Sequence, residues 1–189
     1  MAEGTDQQLV DKVLSGNKNA FNLLVLRYQH RMVALIGRFI QDPQEVEDVC
    51  QEAFIKAYRA LPLFRGDSAF YTWLYRIAVN TAKNHLVSRK RRPPTSDLEV
   101  TEAEASEIGS VLREIENPEA SLATDKLKRA IDAAIQDLPE DLRTAFTLRE
   151  FSGLSYEDIT KVMDCPVGTV RSRIFRAREA IDKRIRELL

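Results

Sequence analysis

At 189 residues, 44% of them hydrophobic and with only seven Gly and seven Pro, the chain exceeds one typical domain and has the composition of a soluble, mostly helical protein, so two compact domains are expected. No run of eighteen apolar residues occurs, and the opening MAEGTDQQLV lacks the basic and apolar segments of a signal peptide, so the expected location is the cytoplasm. The formal net charge of −1 conceals a division along the chain: residues 1–92 carry 14 basic and 9 acidic groups, 93–123 carry 1 and 8, and 124–189 carry 13 and 12, a basic, acidic, mixed order.

Residues 5–92 read as a domain of four helices. Gly16 separates the first two and Gln41-Asp42-Pro43 the next two, with Pro43 suited to a first helical turn. Phe21, Leu24, Val25, Tyr28, Met32, Leu35 and Phe39 recur at three-to-four spacing, as do Val46, Val49, Ala53, Ala57 and Leu61, and both stripes are predicted to be core. The loop Pro62-Leu63-Phe64-Arg65-Gly66 then leads into a long helix, N-capped by Asp67 or Ser68, that ends in Arg89-Lys90-Arg91-Arg92. On this helix Phe70, Leu74, Ile77, Ala78 and Thr81 form a buried stripe. Trp73, Arg76, Asn80, Lys83 and Asn84 share an exposed side, the mixture of aromatic, cation and amide that single-stranded DNA binders use. An aromatic near a helix start is as often core, so the pattern alone leaves Trp73 open.

Residues 93–121 read as an acidic flexible linker: the stretch opens with Pro93-Pro94, contains Gly109 and lacks an apolar stripe, while its like charges repel. The second domain, 122–189, begins with a helix near 122–137, and Leu138-Pro139-Glu140 opens another that ends around Phe151 before Ser152-Gly153. Ser155-Tyr156-Glu157-Asp158 is similar to a capping box with Asp in place of Glu and starts a short helix to about Met163. A tight turn at Asp164-Cys165-Pro166 precedes a last helix from about Val167 to the chain end.

Short helix, tight turn and long basic helix have the proportions of a helix-turn-helix, whose second helix enters the DNA major groove. At 100° per residue, Val170, Ile174, Ala177 and Ile181 fall on one stripe that must face the domain. The opposite arc displays Gly168, Ser172, Phe175 and Glu179, flanked by Arg171 and Arg176. Arg reads guanine bidentately, Ser bonds base edges or phosphates, and Phe meets the thymine methyl. Gly168 and Thr169 at the helix start suit close approach of a phosphate. The plainer reading is a solvated basic face, against which stands the crowding of four Arg into residues 171–178.

Cys50 and Cys165 lie far apart in sequence with no Cys or His cluster near either, and His30 and His85 are equally isolated, so inert thiols and packing or surface histidines are expected, with no metal and no cofactor. There is no phosphate-cradling glycine loop and no nucleophile set beside a histidine and acid, so the protein is not expected to be an enzyme or to take a small-molecule substrate.

The segments DVCQEAFIKAYRAL, FRGDSAFYTWLYRIAVNTAKN and LPEDLRTAFTLREFSGLSYEDITKVMDCPVGTVRSRIFRAREAI together resemble the extracytoplasmic-function sigma factors of bacterial RNA polymerase, most of all the sigma-E and alginate-regulating envelope-stress group. The resemblance covers roughly residues 5–92 and 122–185. It implies an all-α fold of two helical domains: a region 2-like domain that docks on the polymerase clamp and recognises and melts the minus-10 element, and a region 4-like helix-turn-helix that reads the minus-35 element. Core RNA polymerase and promoter DNA are the implied partners, with an anti-sigma factor, commonly membrane-anchored, that holds the protein inactive until stress releases it.

By the same resemblance, Asp48, Gln51, Glu52 and Ile55 dock on the clamp, and they do share one helical face here, opposite Val49 and Ala53. The loop at Phe64 and Asn80 on the adjoining helix are implied in capturing a flipped minus-10 base, at an unstacking cost of a few kcal/mol. Trp73-Leu74 stands where housekeeping sigma factors carry paired tryptophans, which implies weaker melting and greater dependence on a well-matched promoter. The linker reads as a solvated tether or as a nucleic-acid mimic in the polymerase channel. The rival classes are a stand-alone helix-turn-helix repressor, which needs a dimer surface but no second domain, and a protein-binding adaptor, which leaves the arginine-rich face unexplained.

Overall fold

The computed structural model describes residues 4–91 and 118–188, which form eight α-helices and, among the described residues, no strand. The first domain holds α1 (Asp6–Leu14), α2 (Lys18–Ile36), α3 (Pro43–Ala60) and α4 (Phe70–Arg91), with a single 3-10 turn at Leu61–Leu63. The second holds α5 (Pro118–Gln136), α6 (Glu140–Glu150), α7 (Tyr156–Met163) and α8 (Val167–Leu188).

Local chemistry sets the helix starts. Thr5 and Gln8 cap α1 reciprocally: the Gln8 amide donates to the Thr5 hydroxyl at 3.3 Å and the Thr5 amide donates to Gln8 Oε1 at 2.9 Å. Asp42 caps α3 by accepting the Glu45 amide at 2.9 Å, with Pro43 in the first turn. The expected cap of α4 moves. Gly66 turns the chain at φ +74, α4 begins at Phe70, and the amides of Thr72 and Trp73 in its first turn bond the Ala69 carbonyl. The helix therefore starts beyond Asp67 and Ser68, and neither caps it.

The predicted stripes are buried, with Val25 and Ile77 only partly so. Met32, Ile36, Ala53, Ala57, Leu74 and Ala78 form the centre of the first domain, each at most marginally exposed. In the second domain Ala134, Ile135 and Leu138 of the α5 end close over Ala177 and Ile181 of α8. At roughly 1.5–3 kcal/mol for each large aliphatic side chain withdrawn from water, such stripes fix which way each helix faces.

The two helical domains are present as expected, with one boundary shifted and a shared contact. Helix α5 opens at Pro118, inside the stretch read as linker, whereas residues 92–117 lie outside the described residues. The two domains are also not independent bodies: Ala145, Leu148, Leu154, Ile159, Val162, Val170 and Ile174 belong to the same buried cluster as the first domain's core, and α7 packs across α4. Polar contacts follow the seam. Arg38 reaches Asp132 at 3.0 Å and lies 4.0 Å over the Phe151 ring, and Lys161 Nζ donates to the Asp67 carbonyl at 3.1 Å. Periodicity marks which side of a helix is apolar but not whether its cover comes from the same domain.

Candidate nucleic-acid interface

The helix-turn-helix is built by α7, a turn and α8. Ser155 caps α7, its hydroxyl accepting the Asp158 amide at 3.0 Å. Asp164 ends it in the left-handed conformation at φ 50, one that Asp tolerates better than bulkier residues. Pro166 then offers its carbonyl to Thr169 and Val170 at 2.9 and 3.1 Å, and α8 begins.

Val170, Ile174, Ala177 and Ile181 are all buried, so the helix cannot roll. Its opposite arc is thereby held outward: Gly168, Arg171, Ser172, Phe175 and Arg176 are exposed and Thr169 is half-buried. Phe175 leaves 62% of its surface in water, an unfavourable place for an isolated aromatic ring and a useful one for contact with a partner. A methyl group on Gly168 would meet no protein atom within 4 Å, so the first turn of α8 is open to close approach. Arg171 sits 5.7 Å over the Tyr156 ring, which braces the guanidinium from α7. The Ser172 hydroxyl donates back to the Thr169 carbonyl at 3.0 Å, which leaves its lone pairs to accept from a base amino group.

The α4 face is less uniform than its sequence implies. Arg76, Asn80 and Asn84 are exposed, but Trp73 and Lys83 are half-buried. Trp73 packs 5.1 Å from Phe64 and 5.7 Å from Phe70, and Phe64 lies 6.0 Å from Phe70. The ring is thus part of an aromatic wall under the loop rather than a free platform, because three apolar rings within reach bury one another. Lys83 is held by α6, 3.0 Å from Glu140 and 3.4 Å from Asp141.

Between α3 and α4 lies a hollow of about 280 Å³ lined by Lys56, Ala60, Ile77, Asn80, Thr81 and Asn84. Lys56 Nζ lies 3.4 Å from the Thr81 hydroxyl and 2.7 Å from Glu52. The hollow thus has an apolar wall, two amides and a cation at its rim. Sequence reasoning found Asn80 and Asn84 but missed Lys56 and Thr81. Lys56 looked like one more charge four residues from Glu52, and Thr81 counted only as core. A second hollow, of about 310 Å³ between α6 and α8, is lined by Phe146, Glu150, Arg178, Ile181 and Asp182 and includes none of the expected site residues.

Asp48, Gln51, Glu52 and Ile55 lie together on the outer face of α3, all exposed, with Ile55 at 51%. The remaining sequence candidates for chemistry do not assemble. Cys50 is buried, Cys165 is half-buried with Arg173 Nη1 3.3 Å from its sulfur, and neither is in a disulfide. Among the described residues no group of three His, Cys, Asp or Glu is placed to hold a metal.

The sequence matches sigma-70 region 2 over residues 24–92 and sigma-70 region 4 over residues 128–181. The chain belongs to the extracytoplasmic-function sigma factors of the sigma-70 family. It is 64% identical to the RNA polymerase sigma-H factor of Pseudomonas aeruginosa over 189 residues, covering 100% of this chain and 98% of that one. It is 61% identical to the ECF RNA polymerase sigma-E factor of Escherichia coli over 185 residues, 98% of this chain and 96% of that one. Among solved structures it is similar to CnrH in complex with the cytosolic domain of CnrY, at TM-score 0.67 and 25% identity over 94% of this chain and 95% of that one. The fold is also shared with the sigma factor RpoE of Bartonella quintana, solved with the anti-sigma factor NepR, at TM-score 0.66 and 22% identity over 88% and 96% of the two chains. Region 2 therefore contains α4 and the hollow, and region 4 contains the helix-turn-helix.

Proposed function

We propose that this sigma factor brings core RNA polymerase to stress-response promoters by dividing the reading between its two domains. Helix α8 reads the minus-35 element as duplex through Arg171, Ser172, Phe175 and Arg176, with Gly168 and Thr169 against a phosphate. The loop at Phe64 and the α4 residues Trp73, Arg76, Asn80, Lys83 and Asn84 recognise and melt the minus-10 element, with the α3–α4 hollow receiving a flipped base. Asp48, Gln51, Glu52 and Ile55 dock on the polymerase clamp. The observation that carries the reading is the α8 arc: polar, cationic and aromatic side chains turned outward by a fully buried stripe on the same helix.

The protein acts in the cytoplasm and performs no catalysis of its own; no helix among the described residues is long and apolar enough to cross a membrane. An anti-sigma factor, commonly membrane-anchored, holds it inactive, a reading supported by CnrH, solved with the cytosolic domain of CnrY. In vitro transcription with purified bacterial core polymerase on sheared genomic DNA tests the whole. Discrete start sites that depend on this protein are expected. Binding to duplex DNA with no starts would replace the reading with that of a repressor on palindromic half-sites.

A further inference from the structure

The hydrogen bonds of α1 reach beyond its own helix. Its start is fixed by the reciprocal Thr5–Gln8 cap, which sets Asp6 in the first turn. One Asp6 carboxylate oxygen lies 2.5 Å from Arg27 Nη1, and the other accepts the hydroxyl of Tyr28, a buried residue of α2. Arg27 Nη2 donates to the Gly4 carbonyl at 2.9 Å. Burial, and then the Asp6 carboxylate beside it, push the Tyr28 phenol well above its usual range, so it stays a donor to Asp6.

The Tyr28 ring in turn lies 5.8 Å from that of Phe70, the first residue of α4 and the member of the aromatic wall that meets both Phe64 and Trp73. Helix α1 also lies against the 3-10 turn at Leu61–Leu63, with Leu9 and Leu61 buried in one cluster. Between that turn and Phe70, residues 64–69 are irregular. Both roots of the loop thus rest on α1, one directly and one through Tyr28. Irregular chain has no repeating backbone bonds of its own, so it takes its place from what its ends pack against.

We infer that Asp6 and Tyr28 are positioning residues for minus-10 reading: their hydrogen bond seats Phe70, and Phe70 seats Phe64 and its loop in the conformation that captures the flipped base. The inference rests on the proposed assignment of that loop. A loop held in its working conformation before DNA arrives gives up less freedom on capture. A slack one repacks around a wrong base at low cost, so discrimination follows from the hold.

Trp73 is the only tryptophan of the chain and part of the wall, so its fluorescence reports the packing without DNA. Full-length Tyr28→Phe and Asp6→Ala are compared with Asp6→Asn, which keeps an acceptor for the hydroxyl. The control is Ile36→Val, which thins the same core about two turns along α2 from Tyr28. Acrylamide quenching of Trp73 is expected to rise about twofold in the first two variants. With core polymerase, on a promoter mapped by the transcription assay and on its single-base minus-10 variants, they are expected to lose about fivefold in discrimination. Minus-35 duplex binding and core capture stay at the wild-type level. Asp6→Asn is expected to fall between the wild type and Asp6→Ala, and Ile36→Val to match the wild type in both readouts. Unchanged quenching in Tyr28→Phe and Asp6→Ala would overturn the inference. So would equal effects of Ile36→Val, which mark general loss of stability, or discrimination kept by both variants while Phe64→Ala loses it. If Asp6→Ala loses its helical circular dichroism, Tyr28→Phe decides alone. If Phe64→Ala itself keeps full discrimination, the proposed assignment of the loop falls, and quenching still decides whether Asp6 and Tyr28 hold the wall.

Discussion

The Thr72 hydroxyl, buried in α4, donates to Asp158 Oδ1 on α7 across 86 residues of sequence at 3.1 Å. Asp158 stands where a capping box has Glu. Its own amide is held by Ser155, but its shorter carboxylate accepts the Thr72 and Tyr71 hydroxyls of the first domain. Thr72→Val keeps the shape and removes the donor, leaving a carboxylate without one of its bonds. A loss of about 1.5–3 kcal/mol is expected, the range for hydrogen bonds to charged groups. It would be read as a lower urea midpoint, and an added early transition would mark domain parting before unfolding. An unchanged unfolding curve would show that water replaces the threonine at no cost.

Arg176 is exposed on the α8 arc. Arg176→Ala is expected to cost roughly 1–3 kcal/mol on the matched minus-35 duplex and to relax specificity at one base pair. Competition binding by polymerase holoenzyme on a panel of single-base variants checks this. Equal weakening on every duplex makes Arg176 a phosphate contact instead.

Asn80 lines the α3–α4 hollow. Asn80→Ala is expected to reduce selectivity within the minus-10 element by about tenfold, on the order of 1–3 kcal/mol for a lost base contact, without changing minus-35 duplex binding. Permanganate footprinting of the open complex and duplex binding, measured side by side, separate the two. Loss of duplex binding would falsify the assignment.

Asp48→Ala on the outer face of α3 is expected to slow capture by core polymerase without shifting DNA preference. Ile55→Ala is expected to weaken capture through lost apolar burial and to be less sensitive to salt, because only Asp48 carries charge. Binding of labelled protein to core polymerase at two salt concentrations reads both. Capture at the wild-type level in either variant removes that residue from the docking face.

Burial, with Glu47 nearby, pushes the Cys50 thiol up to about 11 from its usual 9.0. At pH 8 about one molecule in a thousand then carries the reactive thiolate. Thiol titration of the native protein is expected to label the half-buried Cys165 and spare Cys50 until denaturant is added. Raising the pH toward 11 should speed labelling of Cys50. Rapid labelling of both at pH 8 would mean that the α3 core opens readily.

Much of the fold was legible because helical spacing speaks directly about faces. Val170, Ile174, Ala177 and Ile181 recur at three and four residues, and their burial alone dictates that Ser172 and Phe175 point out. A cap was legible where the side chain acts locally, as at Ser155, unread at Asp42, where only Pro43 was noticed, and misplaced at α4, where the preceding glycine turn sets the start. Trp73 stayed undecided because its neighbours include Phe64, in a loop whose path spacing does not reveal. The seam between domains was invisible for a related reason. Asp158 reads as a capping residue, Lys83 as a DNA cation and Glu140 as a helix-start acid, and only the folded chain shows Glu140 meeting Lys83 and Asp158 meeting Thr72.

Helix α8 passes through two separate apolar clusters. Val170 and Ile174 are embedded in the large one that includes the first domain, and Ala177 and Ile181 in the small one closed by α5. An unbroken helix of 22 residues is about 33 Å long and stiff along its axis. It is therefore pinned at two places, one of them in the cluster that includes the first domain's core. No loop interrupts α8, so the turn that carries Arg171 and Ser172 is one rigid piece with Ala177 and Ile181, which the end of α5 covers.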